Sequence, residues 1–246
     1  MPNVFAENIL TNDLLTDIIF SCCSPAHIYR IAKTCRAGLY AAKEYTRHAF
    51  NINRHLSRYF DDISAFRSLQ ARTRSLISGL NALQFFDRTC YPESDLDLYV
   101  HLRWRREVGI WMMQSGYHFQ PSSNYDTRGI AAVFTFIRAS PGQNRKVQLI
   151  VARRTPMKIV LAFHSTCVMN VIAYDKAFAL YPRATFEERK ALIRSRAGRR
   201  QQSAIGKYAT RGWEMVSELP AMQRSASNPT FRLGQRWIAD GDSWRN

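Results

Sequence analysis

Apolar residues recur at helical spacing through the first fifty positions of the chain. In residues 9–20, ILTNDLLTDIIF, Ile9, Leu14, Leu15, Ile18 and Ile19 share one helix face. Asn12 stands where an N-cap is needed, since its short side chain accepts a backbone N–H that the first turn leaves unpaired. Ser24-Pro25 is a second start signal: a capping hydroxyl, then a ring that already holds the helical φ. From there Ile28, Ile31, Ala32, Cys35, Leu39 and Ala42 form one stripe, which predicts a helix continuing to about Phe50. A third helical stretch is predicted over residues 53–74, with a break near Asp61-Asp62. Residues 1–60 therefore read as an all-helical region.

The period then shortens. Residues 75–79, SLISG, form an apolar run that ends in glycine, as a strand does on entering a tight turn. Residues 80–86 suit a helical turn and 91–94 a loop. In residues 95–100, DLDLYV, acidic and apolar side chains alternate with the period of a strand. Residues 104–115 suit an amphipathic helix that Gly116 ends. Two β-rich runs, 130–138 and 145–151, flank Pro141-Gly142-Gln143-Asn144, the composition of a hairpin turn. Residues 185–188, TFEE, have the form of a capping box and predict a basic helix to about Arg196. Residues 221–246 are irregular. The expected fold class is α+β: a helical region (1–60), a mixed sheet flanked by helices (61–220) and a C-terminal tail (221–246).

Composition adds a core and a charge. The 246 residues are 46% hydrophobic, enough for a packed interior and too apolar for a disordered chain. The net charge is +16, and it is uneven: residues 1–100 hold 11 Lys and Arg against 10 Asp and Glu, and residues 101–246 hold 24 against 9. The second part is thus expected to meet an anionic partner: a nucleotide, a nucleic acid, an acidic protein or a membrane surface. The most apolar run, 159–174, is broken by His164, Ser165, Thr166 and Asn170 and is too short to span a bilayer. Five cysteines without a CxxC, and an N-terminus without a basic start and apolar run, predict reduced thiols in an intracellular protein, cytoplasmic or nuclear.

Asp95-Leu96-Asp97 is the most informative chemical feature. On a strand the two carboxylates point to one face, about 6–7 Å apart. Adjacent like charges are unfavourable unless a cation joins them or water solvates them. Hard oxygens so arranged suit Mg²⁺ or Mn²⁺, and paired metals stabilise the attacking and leaving oxygens of phosphoryl transfer. The bland alternative is an acidic edge that keeps a strand soluble. The run SGLNALQFFDRTCYPESDLDLYV, with Gly79 sixteen residues before Asp95, resembles the signature of the nucleotidyltransferase (polymerase β-like) superfamily. The resemblance covers roughly residues 75–180. It implies that Asp95 and Asp97 are catalytic metal ligands, that Ser78 and Gly79 form the turn that contacts a triphosphate, and that the cofactors are NTP and Mg²⁺ or Mn²⁺. Arg103 and Arg105 follow the acidic strand and are expected to meet nucleotide phosphates. The chain also departs from the pattern. Leu80 stands where the family has Gly or Ser, and the later strand that should carry a third carboxylate offers Gln148. Asp126 is the nearby acid, in a loop-like setting.

Runs at 82–100, 163–172 and 181–192 are similar to those of a group of basidiomycete fungal proteins, a resemblance that implies no activity. Residues 10–42 resemble an F-box, with Leu14, Leu15, Ile18 and Ile19 in its first helix and Ile28, Ile31, Cys35 and Arg36 in the later ones, though the usual Leu-Pro start is absent. That resemblance implies docking of a Skp-type adaptor through residues 9–45. The alternative is a helical cap on the α/β part.

Between residues 183 and 200 there are seven basic residues and two acids. Arg194, Arg196, Arg199, Arg200 and Lys207 suit phosphate contacts, with Tyr208 and Trp213 interleaved as on nucleic-acid surfaces. A solvated basic face is the competing reading. The six histidines lack metal-ligand spacing, and His164 to Cys167 reads as a buried structural segment rather than a Cys/His nucleophile. Three functions follow as expectations: a nucleotidyltransferase-fold protein with weak or degenerate transfer, an F-box-type adaptor, or a non-catalytic nucleic-acid-binding module.

Overall fold

The computed structural model describes residues 8–121, 129–139, 142, 144–194, 199–220, 228, 230–232, 238, 240 and 243–245, with 199–201 described by backbone alone. The chain divides into two compact units, Met1–Ile52 and Asn53–Asn246.

The first unit holds α1 (Asp13–Ser21), α2 (Pro25–Ala32) and α3 (Arg36–Ala49). Both expected caps form: Asn12 Oδ1 accepts the Leu15 N–H at 3.2 Å, and Ser24 Oγ accepts the His27 N–H at 3.3 Å. The single helix expected from Ile28 to Phe50 is two helices. The Thr34 hydroxyl donates back to the Ile31 carbonyl, and the Cys35 thiol caps α3 by accepting the Gly38 N–H. Glycine is needed at 38 because a Cβ there would lie 2.6 Å from the Ile31 carbonyl oxygen. Leu10, Phe20, Ile28, Ala41, Ala42 and Tyr45 form the core, with Phe20 edge-on to Tyr45. The apolar face expected for α1 is only partly used, for Leu14 and Ile18 are 77% and 65% exposed.

The second unit begins within α4 (Ile52–Leu56) and continues through α5 (Ile63–Thr73), β1 (Leu76–Ser78), α6 (Gly79–Asp87), β2 (Leu96–His101), α7 (Arg105–Gln114), β3 (His118–Gln120), β4 (Ile130–Arg138) and β5 (Arg145–Ala152). It closes with α8 (Pro156–Val160), β6 (Asn170–Ile172), β7 (Ala177–Ala179), β8 (Lys190–Leu192), α9 (Arg199–Thr210), β9 (Glu214–Val216) and β10 (Trp244–Arg245). The main sheet runs β10-β7-β6-β1-β2-β5-β4-β3, and β2–β5 is its one parallel pair among the described strands. A mixed sheet with helices on both faces is therefore the architecture. On one face Val108 and Met112 of α7 are buried, and Gly109 lies against Phe136, which is paired with Val147. On the other, Ile159 of α8 packs with Tyr99, Ile150 and Ala152. The break at Asp61-Asp62 occurs as expected, with Asp62 capping α5 through the Ala65 N–H.

The helix expected from Thr185 to Arg196 does not form. Residues 183–187 make one wide turn with Thr185 buried, and Arg189 then adopts the left-handed conformation before β8. The Glu188 carboxylate, which the capping box would use, accepts from Arg183 and from the Thr230 hydroxyl. The tail expected over 221–246 contributes Trp244 and Arg245 to the edge of the main sheet. No helix of the described residues is long and apolar enough to cross a membrane.

Candidate functional site

Period-two alternation along β2 and β5 builds the site. Leu96, Leu98 and Val100 are fully buried on one face of the sheet, which leaves Asp95, Asp97 and Tyr99 facing the other. On β5, Val147, Leu149 and Val151 are buried on that same first face, so Lys146 and Gln148 share the second with the acids. The parallel register sets Gln148 directly beside Asp97. A cavity of about 370 Å³ opens here, lined by Gly79, Asp95, Asp97 and Gln148 on one side and by His164, Lys207 and Tyr208 on another.

Gly79 ends β1 and starts α6 with φ of +70°, and a Cβ there would meet Asp97 Oδ2 at 2.9 Å. Only glycine satisfies both the backbone conformation and this close approach. The loop that delivers Asp95 is held from α6 and from the turn that follows α4. Gln84 accepts the Tyr91 N–H and donates to the Ser94 hydroxyl, and the Tyr59 hydroxyl donates to the Ser94 carbonyl.

The charges are compensated from inside. Asp95 Oδ2 accepts from Lys146 Nζ at 2.7 Å and from Gln148 Nε2 at 3.1 Å. Asp97 is raised to about 7, chiefly because removal from water penalises its charged form and secondly because Asp95 is close; Lys146 and Lys207 oppose the rise. Across the cavity His164 stacks on Tyr208 at 5.9 Å, and its Nε2 is buried without a hydrogen-bond partner among the described residues. Burial lowers the His164 pKa. Cys167 is buried, and burial pushes its thiol up to about 11, which removes it as a nucleophile.

Of the residues expected from sequence, Gly79, Asp95, Asp97 and Lys207 come together. Ser78 does not join them: it is fully buried, and its hydroxyl donates to the Asn170 carbonyl at 2.5 Å. Arg103 and Arg105 do not line the cavity, because they lie six and eight residues after Asp97, beyond the far end of β2. Arg103 lies over the Trp104 ring and Arg105 donates to the Leu102 carbonyl. Arg194 is exposed; Arg196, the side chains of Arg199 and Arg200, and Asp126 lie outside the described residues. Lys146 was missed, although the alternation that singles out Gln148 also puts the residue two before it on the same face.

The donor set does not match a pair of divalent cations. Glu93 and His164 also line the cavity, but among the described residues no group of three His, Cys, Asp or Glu is placed to hold a metal ion, and Gln148 stands beside Asp97. One carboxylate oxygen is already occupied by an ammonium and an amide. No protein-family model matches the chain, and no curated protein matches it.

Proposed function

We propose that the second unit is a nucleotidyltransferase-fold domain that binds a nucleoside triphosphate in this cavity and has weak or no nucleotidyl transfer. The single observation that carries the reading is the contact of Gly79 with Asp97 beside Gln148: the glycine turn and the acidic strand meet as the resemblance requires, and a neutral amide stands next to the acids. Further support comes from the start of α6. Its N-terminal amides open at Gly79, and Ser78 makes no side-chain cap there, so an anion finds a positive helix end. Lys207 lines the cavity, Lys146 is paired with Asp95 of the lining, and His164 with Tyr208 offers a flat wall for a base. Thermal melting with ATP or CTP in Mg²⁺ buffer tests the reading. An upward shift that Asp95→Ala with Asp97→Ala alters supports it; no shift with any nucleoside triphosphate sinks it. Nucleotidyl transfer at rates typical of an enzyme would overturn the degenerate assignment.

A second reading concerns the first unit. We infer that it is an F-box-type module that docks a Skp-type adaptor, because Leu14, Leu15 and Ile18 of α1 and Tyr40 of α3 are exposed rather than packed. Pull-down with the adaptor tests this; Leu14→Asp with Ile18→Asp is expected to abolish capture, and failure of the unaltered chain to capture adaptor counts against it.

A further inference from the structure

Resting on the nucleotide reading above, we propose that Lys146 is the resident cation of the acidic pair, so that the cavity binds a nucleoside triphosphate without a divalent metal. The resemblance that suggests the fold implies the opposite, and the disagreement comes from the side chains themselves. Lys146 Nζ lies 2.7 Å from Asp95 Oδ2, and Gln148 Nε2 lies 3.1 Å from the same oxygen. Both lone-pair directions of that oxygen are thereby used. Lys146 cannot leave the face by a small rotation of the strand, because β5 is hydrogen-bonded on both edges, to β2 and β4. A metal bound through that oxygen must displace the ammonium and break the Gln148 bond, and Asp97 Oδ2 lies close against Gly79.

The arrangement also accounts for why the acids persist beside a phosphate site. An ammonium has three donors. Asp95, which lines the cavity, takes one, and the ion pair stays 39% and 30% exposed at its two partners, so the other donors remain open to an anion. Lys207 enters from α9, makes no ion pair among the described residues, and brings three more donors. The N-terminus of α6 completes a third anion-binding edge. Asp95 is then a positioning residue for Lys146.

Calorimetric titration of ATP into the full-length chain tests this, in EDTA and in Mg²⁺. Affinity is expected to agree between the two buffers within about threefold. Lys146→Met is expected to weaken binding in EDTA by about ten- to a hundredfold, and Lys146→Arg to weaken it less. Without nucleotide, Mn²⁺ followed by its paramagnetic resonance signal is expected to stay free beside the unaltered chain and to bind once Lys146→Met with Gln148→Asp frees the pair. Binding of ATP to the unaltered chain in Mg²⁺ but not in EDTA overturns this inference and leaves the nucleotide reading standing. Absence of ATP binding in both buffers overturns the nucleotide reading, and the inference with it. The comparison of buffers needs no variant, so it holds even if Lys146→Met fails to fold.

Discussion

The two units solve opposite problems. The first exposes large apolar side chains: Leu14 is 77% exposed, and Ile18 and Tyr40 are 65% exposed. The second encloses polar ones: Ser78, Asn81 and Gln84 at the start of α6, and Asn170 facing them, are buried almost completely. Exposed apolar area costs free energy until a partner covers it. Enclosed polar groups cost free energy unless each finds a partner, and here Asn81 binds Tyr59 and His55, and Gln84 binds Tyr91 and Ser94. One unit is suited to being covered, the other to holding a shaped cavity.

Substitutions separate the two. Phe66 is fully buried and stacked on Phe60 at 4.0 Å, so Phe66→Ala is expected to lower stability of the second unit by about 3–5 kcal/mol in denaturant titration. A loss below about 1 kcal/mol would mean that this core is looser than its packing indicates.

The next effect is pH-dependent. Burial and the neighbouring Arg58 charge lower His55 to about 4, while its ring binds Asn81 at 2.8 Å. Between the ordinary histidine range near 6.5 and about 4, the unfolded chain takes up a proton that the folded chain refuses. His55 therefore contributes stability in full above that range and loses it as pH falls toward 4, on the order of 3 kcal/mol in all. Asp97 acts with the opposite sign. Its pKa is raised to about 7, so ionisation destabilises the fold as pH rises from about 4 to about 7. Melting across pH 4.5–8 with His55→Gln and with Asp97→Asn resolves the two slopes. The histidine variant is expected to keep only the decline toward high pH, and Asp97→Asn to melt higher than the unaltered chain at pH 8. An unchanged profile in both variants would break the claim that these polar groups are enclosed.

Gly79→Ala forces a side chain onto a backbone at φ +70° and against Asp97, and is expected to cost about 2 kcal/mol and to abolish ATP binding. Smallest is Leu14→Ala with Ile18→Ala in the first unit. Stability should change by no more than about 0.5 kcal/mol per site, because little packing is lost, while adaptor capture falls. A large loss of stability instead would show that α1 is part of a core.

Much of the second unit was legible residue by residue. Alternation in DLDLYV identified β2, the glycine after SLIS marked the turn, and the two β-rich runs paired as a hairpin. These signals are local, and local sterics and burial period enforce them. The failures share a cause as well. The TFEE segment has a capping pattern, but Glu188 is taken by Arg183 and by Thr230, forty-two residues away. A side chain claimed from a distance cannot cap its own helix. Similarly, Ser78 was read as a phosphate contact, yet the Asn170 carbonyl on β6 takes its hydroxyl.

Sequence alone determined which residues share a face: Asp95 with Asp97, Lys146 with Gln148, and the apolar residues between them. That follows from the two-residue period of an extended chain and needs no knowledge of neighbours. Only the tertiary structure decided what stands opposite each face. The parallel register of β2 and β5 brought Gln148 beside Asp97 and Lys146 onto Asp95, and α9 brought Lys207 to the same cavity. Register and helix placement depend on contacts between segments from about fifty to more than a hundred residues apart, so whether the acidic pair meets a metal or an ammonium is a property of the folded chain.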